Sequence, residues 1–411
     1  MTSKLSKNNF QTSVDDPYGF DTPIDRTYLS TKKWEAEIAR TNNPDLLCFG
    51  TAEMDFAAAP AINQAMQRVV ENKHFGYPSK RDSYFDAVIE YFERHFDWRI
   101  DKDWISSNVG VYPAMQSLIE ELTEPGDEIL YQTPVHHVFE ELITASGRVA
   151  VPNQLLKRNG HYEMNFEDLA RCVTPRSKLF LLCSPHNPVG RVWRREELEQ
   201  LNRFCLAHGL IVVTDEVYCG LLYKGVPFTP FASLSDEASL NSVTLVSASK
   251  SFNTTGLKHA LMIAESEHLQ AAYSRGLKRS NLGYGGSIFG EAATEAAFRD
   301  CDHWSEALMH YIEGNFKRLK SKLAQDLPLV TATQPEATYF AWLDFSALGL
   351  TDAALQRFFE TEAQVNLVTG ASLGPGGEGH VRFNLATTRA CLSEGLNRIS
   401  TAWRQRQTHD A

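Results

Sequence analysis

The chain has little that would suit an oxidising compartment, a membrane or a polyanion. Its seven cysteines (Cys48, Cys172, Cys183, Cys205, Cys219, Cys301, Cys391) are scattered without one CxxC pair, so neither a disulfide framework nor a zinc site is encoded. They are expected as small buried hydrophobes in a reducing compartment. No apolar run approaches the ~18 residues that a membrane-spanning helix needs. Met1 to Asn9 is polar and lacks the apolar core of a signal peptide. Positive charge is also short, with 40 Lys and Arg against 51 Asp and Glu and a net charge of −11. A surface of that sign repels phosphate backbones and anionic headgroups unless a basic patch intervenes. The one cluster of arginines, Arg191, Arg194 and Arg195, is followed at once by Glu196, Glu197 and Glu199. Nucleic acid and membrane are thus excluded as expected partners, and a soluble cytoplasmic protein is expected. HExxH, P-loop and Gly-x-Ser-x-Gly motifs are missing too.

What remains is a long, ordinary globular composition: 411 residues, 43% hydrophobic and 22% charged. At ~100–200 residues per domain, such a length predicts two or three folding units. Short continuous apolar runs at Glu128–Gln132, Lys178–Ser184, Leu210–Asp215, Val243–Ser247 and Ala260–Ala264 read as strands buried on both faces. Helical patterns lie before and between them, at Ala61–Asn72, Ser83–Phe96, Val109–Leu122 and Arg194–Ala207. This alternation predicts an α/β class with a mostly parallel mixed sheet sandwiched by helices. After about Ser287 the texture changes to one long helical stretch (Ile288–Leu323), a strand-like Thr338–Asp344, a helix over Asp352–Ala363, and a Gly-rich loop (Thr369–Gly379). A strand over Gly379–Leu385 and a final helix follow. A smaller α+β domain is predicted there. The expected division is 1–56 as an N-terminal arm and part of the small domain, 57–287 as the large domain, and 288–411 as the small C-terminal domain.

In α/β sheets chemistry gathers at the carboxyl ends of the strands. Three runs end there in polar residues: Pro185-His186-Asn187-Pro188, Asp215-Glu216-Val217-Tyr218, and Ala248-Ser249-Lys250-Ser251. An amide, a carboxylate with a phenol, and a lysine would face one crevice. That set suits an electron-sink cofactor, which needs an amine for an imine, an acid for a ring nitrogen and donors for a ring oxygen. Gly374-Pro375-Gly376-Gly377-Glu378-Gly379 matches GxGxxG literally, but it precedes a strand instead of opening a helix, so a dinucleotide site is not expected.

The ordered set Asn187, Asp215, Tyr218, Lys250 and Arg382 resembles the fold-type I pyridoxal-phosphate enzymes of the aspartate aminotransferase superfamily. The resemblance runs from about Pro17 to the C-terminus. Ala52-Glu53-Met54-Asp55-Phe56, Gly76-Tyr77-Pro78, Glu124-Pro125-Gly126-Asp127, Ser249-Lys250-Ser251-Phe252-Asn253 and Val381-Arg382-Phe383-Asn384 look most like its cystathionine β-lyase branch. The resemblance implies pyridoxal 5'-phosphate bound by Lys250, which would also take the Cα proton, and paired at its ring nitrogen with Asp215. Tyr218 and Asn187 would donate to its phenolate oxygen. Its phosphate would meet the Gly110, Val111 and Tyr112 backbone, Ser247, Ser249, Lys258, and Tyr77 reaching from a second subunit of a homodimer. Arg382 would clamp the substrate carboxylate, with Asn187 and Tyr18 nearby. Glu53-Met54-Asp55, Phe20, Tyr284 and Ser372 would shape the pocket. Where this branch usually has Thr-Pro-Val-Tyr, the chain has Thr133-Pro134-Val135-His136. His136 is therefore either a substitute for the ring-stacking tyrosine or an acid–base group. The implied activity is carbon–sulfur β-elimination from an S-substituted cysteine. An aminotransferase on the same scaffold and a cofactor-retaining regulatory protein are the alternatives.

Overall fold

The computed structural model describes residues 16–26, 28–283 and 286–409. A seven-stranded sheet runs in the order Ile105–Asn108, Ala260–Ile263, Ser242–Val246, Ile211–Asp215, Ser177–Cys183, Glu128–Thr133, Val149–Gln154. Ala260–Ile263 alone runs antiparallel to its two neighbours, so the sheet is mixed and mostly parallel. Both faces are dry. Leu179, Leu181 and Cys183 pack on one side with Met115 and Leu118 of the Val111–Leu122 helix, Phe139 and Ile143 of Val138–Ala145, and Tyr273 of Glu267–Arg279. Phe180 and Leu182 pack on the other with Trp193 and with Leu198 and Leu201 of the Arg195–His208 helix. Successive residues of a strand point to opposite faces, so burial of both requires an unbroken apolar run.

The two edge strands carry no such run. Ile105-Ser106-Ser107-Asn108 is mostly polar, and Val149–Gln154 is largely exposed and contains Pro152. Proline is tolerated where one side of the strand has no neighbour to receive its hydrogen bond.

A second, antiparallel sheet of four strands follows, in the order Thr331–Ala332, Phe340–Asp344, His380–Asn384, Val368–Thr369. Arg382 sits opposite Trp342 on one side and Val368 on the other. Leu47–Cys48, near the start of the chain, pairs in parallel with Val365–Asn366. The single helix expected over Ile288–Leu323 is two, Ile288–Asp300 and Asp302–Asp326, parted at Cys301 (φ −114, ψ 15). Asp302 then opens the second helix, where a carboxylate suits the positive end of the dipole, and binds Arg94 and His95 at 3.0 Å each. The helix expected over Asp352–Ala363 is α-helical only to Arg357 and widens into a π-turn over Phe358–Glu362. All seven cysteines are unpaired thiols, five of them buried. Among the described residues no helix is long and apolar enough to cross a membrane.

Candidate active site

The Ser177–Cys183, Ile211–Asp215 and Ser242–Val246 strands are neighbours, so the segments leaving their carboxyl ends lie side by side. Lys250 sits in the one-turn helix Ala248–Ser251. Ser247 caps that turn, accepting from Ser249 N–H at 3.1 Å and donating its own hydroxyl to the His259 carbonyl at 2.6 Å. The turn ends at Asn253, whose backbone is left-handed (φ 56), a conformation that asparagine tolerates better than most residues.

Asn253 holds down the 52–56 segment. Its amide oxygen accepts from Met54 N–H at 3.1 Å, and its nitrogen donates to the Met54 and Phe56 carbonyls at 3.2 and 2.9 Å. From the other side Asn384 donates to the Thr51 and Glu53 carbonyls at 2.8 and 2.7 Å. The fully buried Lys33 donates to the Glu53 carbonyl at 3.1 Å and pairs with Asp55 at 2.9 Å. So pinned, the segment presents the Ala52 carbonyl to the Lys250 amine at 2.9 Å.

Burial, then the nearby Arg382 cation, push the Lys250 amine down to about 8, against the pull of Asp215 and Glu53. Burial likewise raises Asp215 to about 6, although the Val217 N–H at 3.3 Å and the Lys250 charge favour its carboxylate. Glu216 beside it is fully buried, accepts from Phe231 N–H at 3.0 Å, and is pushed up to about 8 by burial. At neutral pH it is therefore an uncharged acid and adds no second negative charge beside Asp215.

Arg382 is buried. It donates to the Asn187 amide oxygen and the Gly50 carbonyl at 3.0 Å each, and its guanidinium lies 4.2 Å above the Phe340 ring, a cation–π contact. Its Nε is buried without a protein partner. The loop bearing Asn187 is closed by His186 N–H to the Arg191 carbonyl and Gly190 N–H to the His186 carbonyl, both 2.8 Å. The buried Arg191 side chain then binds the Tyr162 carbonyl (2.8 Å), Glu197 (2.6 Å) and Glu336 (2.8 Å). Glu336 in turn donates its backbone N–H to the Gly190 carbonyl at 2.8 Å. One arginine thus ties the Asn187 loop to the segment leading into the Arg382 sheet.

Tyr218 and Tyr112 are both held well above 10, chiefly by burial, and each senses Asp215 and Arg382. His136 lies against Tyr112, its Nδ1 3.2 Å from the hydroxyl. Lys250, Asp215, Tyr218, Asn187, Arg382, Tyr112 and His136 are thereby brought together. Gly110 and Val111 open the same helix as Tyr112, and no side chain caps its N-terminus, leaving backbone N–H groups without helical partners. Lys258 is exposed on a left-handed residue (φ 55). Tyr18 is partly buried against Phe20, and Ser372 is exposed, donating to the Thr369 carbonyl at 2.7 Å. Tyr77 is 85% exposed in the single chain. Tyr284 lies outside the described residues. The glycine-rich loop reaches the site's rim, where Val135 N–H donates to the Leu373 carbonyl at 2.8 Å.

Sequence reasoning missed Asn253, Asn384, Arg191 and Glu336 as supports. The two asparagines were nonetheless visible as the last residues of the segments around Lys250 and Arg382.

The chain belongs to the class I and II aminotransferase family, whose model matches residues 44–399. Cystathionine beta-lyase PatB of Bacillus subtilis is 38% identical over 384 residues, 93% of this chain and 99% of that protein. The crystal structure of cystalysin from Treponema denticola, which contains pyridoxal 5'-phosphate, is similar with a TM-score of 0.91 at 28% identity, covering 94% of this chain and 99% of that one. The pyridoxal-phosphate-bound C–S lyase of Staphylococcus hominis gives 0.87 at 27% identity, over 94% and 98%.

Replacing Asn253 with Ala should cost about 2–4 kcal/mol, since three buried backbone groups lose partners. An unchanged denaturant midpoint would contradict the pinning role. Arg191→Ala strands Glu197 and Glu336 and is expected to cost about 3–5 kcal/mol. A loss below 1 kcal/mol (about the worth of an exposed pair) would contradict it.

Proposed function

We propose that the chain is a pyridoxal-phosphate-dependent carbon–sulfur β-lyase, converting an S-substituted cysteine and water into a thiol, pyruvate and ammonia. The observation that carries this reading is a lysine amine held on the Ala52 carbonyl at 2.9 Å in a crevice shared with the buried Asp215 and Arg382, in a chain 38% identical to a cystathionine β-lyase along nearly its whole length. The residues fit the cofactor: a low-pKa amine, an uncapped helix N-terminus and an unpartnered Arg382 Nε converge on one crevice. When bound, pyridoxal phosphate supplies an aldehyde for capturing amines and a cationic ring that takes up the electron pair released at Cα.

Asp215 would face the ring nitrogen and keep it protonated. Tyr218, which burial keeps as a phenol, would donate to the ring oxygen. Asn187 spends its amide oxygen on Arg382, which leaves its NH2 to donate beside Tyr218. Gly110, Val111 and Tyr112 offer backbone donors to the phosphate. Because the Ser247 hydroxyl proton is given to His259, Ser247 serves by capping the turn of Ser249, and Ser249 with Lys258 supplies the side-chain contacts. Arg382 binds the substrate carboxylate through a planar fork and Tyr18 lines the approach, fixing the Cα–H bond in one orientation. Lys250, neutral in a large fraction near its pKa, accepts that proton. A phenol, Tyr218 or a partner's tyrosine, protonates the departing sulfur.

Two copies would complete the site. Val70, Phe75 and Tyr77 are exposed at 53%, 58% and 85% within one short segment, an apolar surface that a second copy would cover while Tyr77 reaches that copy's phosphate site. Sedimentation should show a dimer; an active monomer would contradict this.

Incubation with cystathionine or another S-substituted cysteine should release thiol, pyruvate and ammonia in equal amounts, and Lys250→Ala should abolish release. Accumulation of pyridoxamine phosphate with the carbon–sulfur bond intact would instead make the chain an aminotransferase.

A further inference from the structure

His136 entered with two possible roles, and its neighbours decide between them. The Val138 backbone N–H points at its Nδ1 at 3.5 Å. A backbone N–H only donates, so that nitrogen carries a lone pair. The Tyr112 hydroxyl meets the same nitrogen at 3.2 Å, with the two rings near parallel at 26° and 5.7 Å between centroids. It must therefore donate as well, and the ring proton resides on Nε2.

We propose that Tyr112 is a positioning residue that, together with the longer Val138 N–H contact, holds His136 as the Nε2–H tautomer, so that the imidazole serves the site as a ring face and hydrogen-bond donor and not as a proton carrier. The charges around it act the same way. Burial, then the cations of Arg382, Lys250 and Lys32, hold the imidazole well below 6.5. The acids nearby are Glu140, which lines the same small cavity with His136, His137 and Ser372, and Glu141, whose charge reaches Tyr112. The consequence concerns Lys250. A second base near an amine that must take up a substrate proton would compete for it, and a ring whose Nδ1 already accepts two hydrogen bonds does not. This deepens the lyase reading and rests on it for the place of the reacting atoms, whereas the tautomer is independent of whether elimination or amino transfer follows.

Side-chain nitrogen NMR of the full-length holoprotein, with His136→Gln as the assignment control, tests it. The Nδ1 of His136 should resonate as an unprotonated nitrogen and Nε2 as a protonated one throughout the neutral range. Tyr112→Phe leaves only the 3.5 Å Val138 contact on Nδ1 and should bring in a fraction of the second tautomer; an unchanged ring would remove Tyr112 from the role. In kinetics, His136→Phe should lower kcat by one factor at every pH, with both limbs of the profile kept. A lost limb, or an imidazolium at neutral pH, overturns the proposal even if Tyr112→Phe does not fold. Absent thiol release with the tautomer intact would count against the lyase reading alone.

Discussion

Everything in this site follows from keeping one amine out of water. A lysine in solution holds its proton far above neutrality, and only desolvation or neighbouring cations bring it down. Here both act, and Arg382, which contributes the cation, is itself buried. Two positive groups in one dry crevice are tolerable only if acceptors meet them, and the chain supplies these from its backbone. The Ala52 carbonyl takes Lys250 and the Gly50 carbonyl takes Arg382. The stretch 50–56 is thus the floor of the site, and Asn253, Asn384 and Lys33 fix it in place.

The scaffold divides this labour. The seven-stranded sheet, dry on both faces, positions Asn187, Asp215 and Lys250 from three adjacent strands. The four-stranded sheet carries Arg382. The two sets must keep a register of a few tenths of an ångström for the Asn187–Arg382 hydrogen bond, and close-packed cores hold such registers well. Arg191 and Glu336 bridge the gap directly, and the Asn384 N–H, donating to the Phe49 carbonyl at 2.9 Å, brings the floor segment to the same sheet.

Much of this is legible in the sequence. The central strands announce themselves because two-sided burial demands continuous apolar runs, and the polar residues ending those runs are the ones the structure gathers. The edge strands were silent because one is polar and the other is exposed and holds Pro152. The break at Cys301 was hidden because Asp300-Cys301-Asp302 disturbs helical periodicity very little. Arg191 reads in sequence as one more charge in an Arg–Glu run, although Arg194, Arg195 and Glu196 are exposed there and Arg191 is enclosed. Burial of a charge depends on partners such as Glu336, which lies far along the chain, and no local pattern carries that. Ser247 reads as a phosphate donor, yet its proton is committed to the His259 carbonyl.

The central claim is that the fold itself lowers the Lys250 amine. It is tested most directly by the rate at which cofactor-stripped protein recaptures pyridoxal phosphate as a function of pH, with borohydride reduction locating the label. Capture needs the free amine, so the account predicts modification at Lys250 with a rate that rises through an inflection near 8. An inflection near 10.5, the ordinary lysine value, or a label on another lysine, would contradict it.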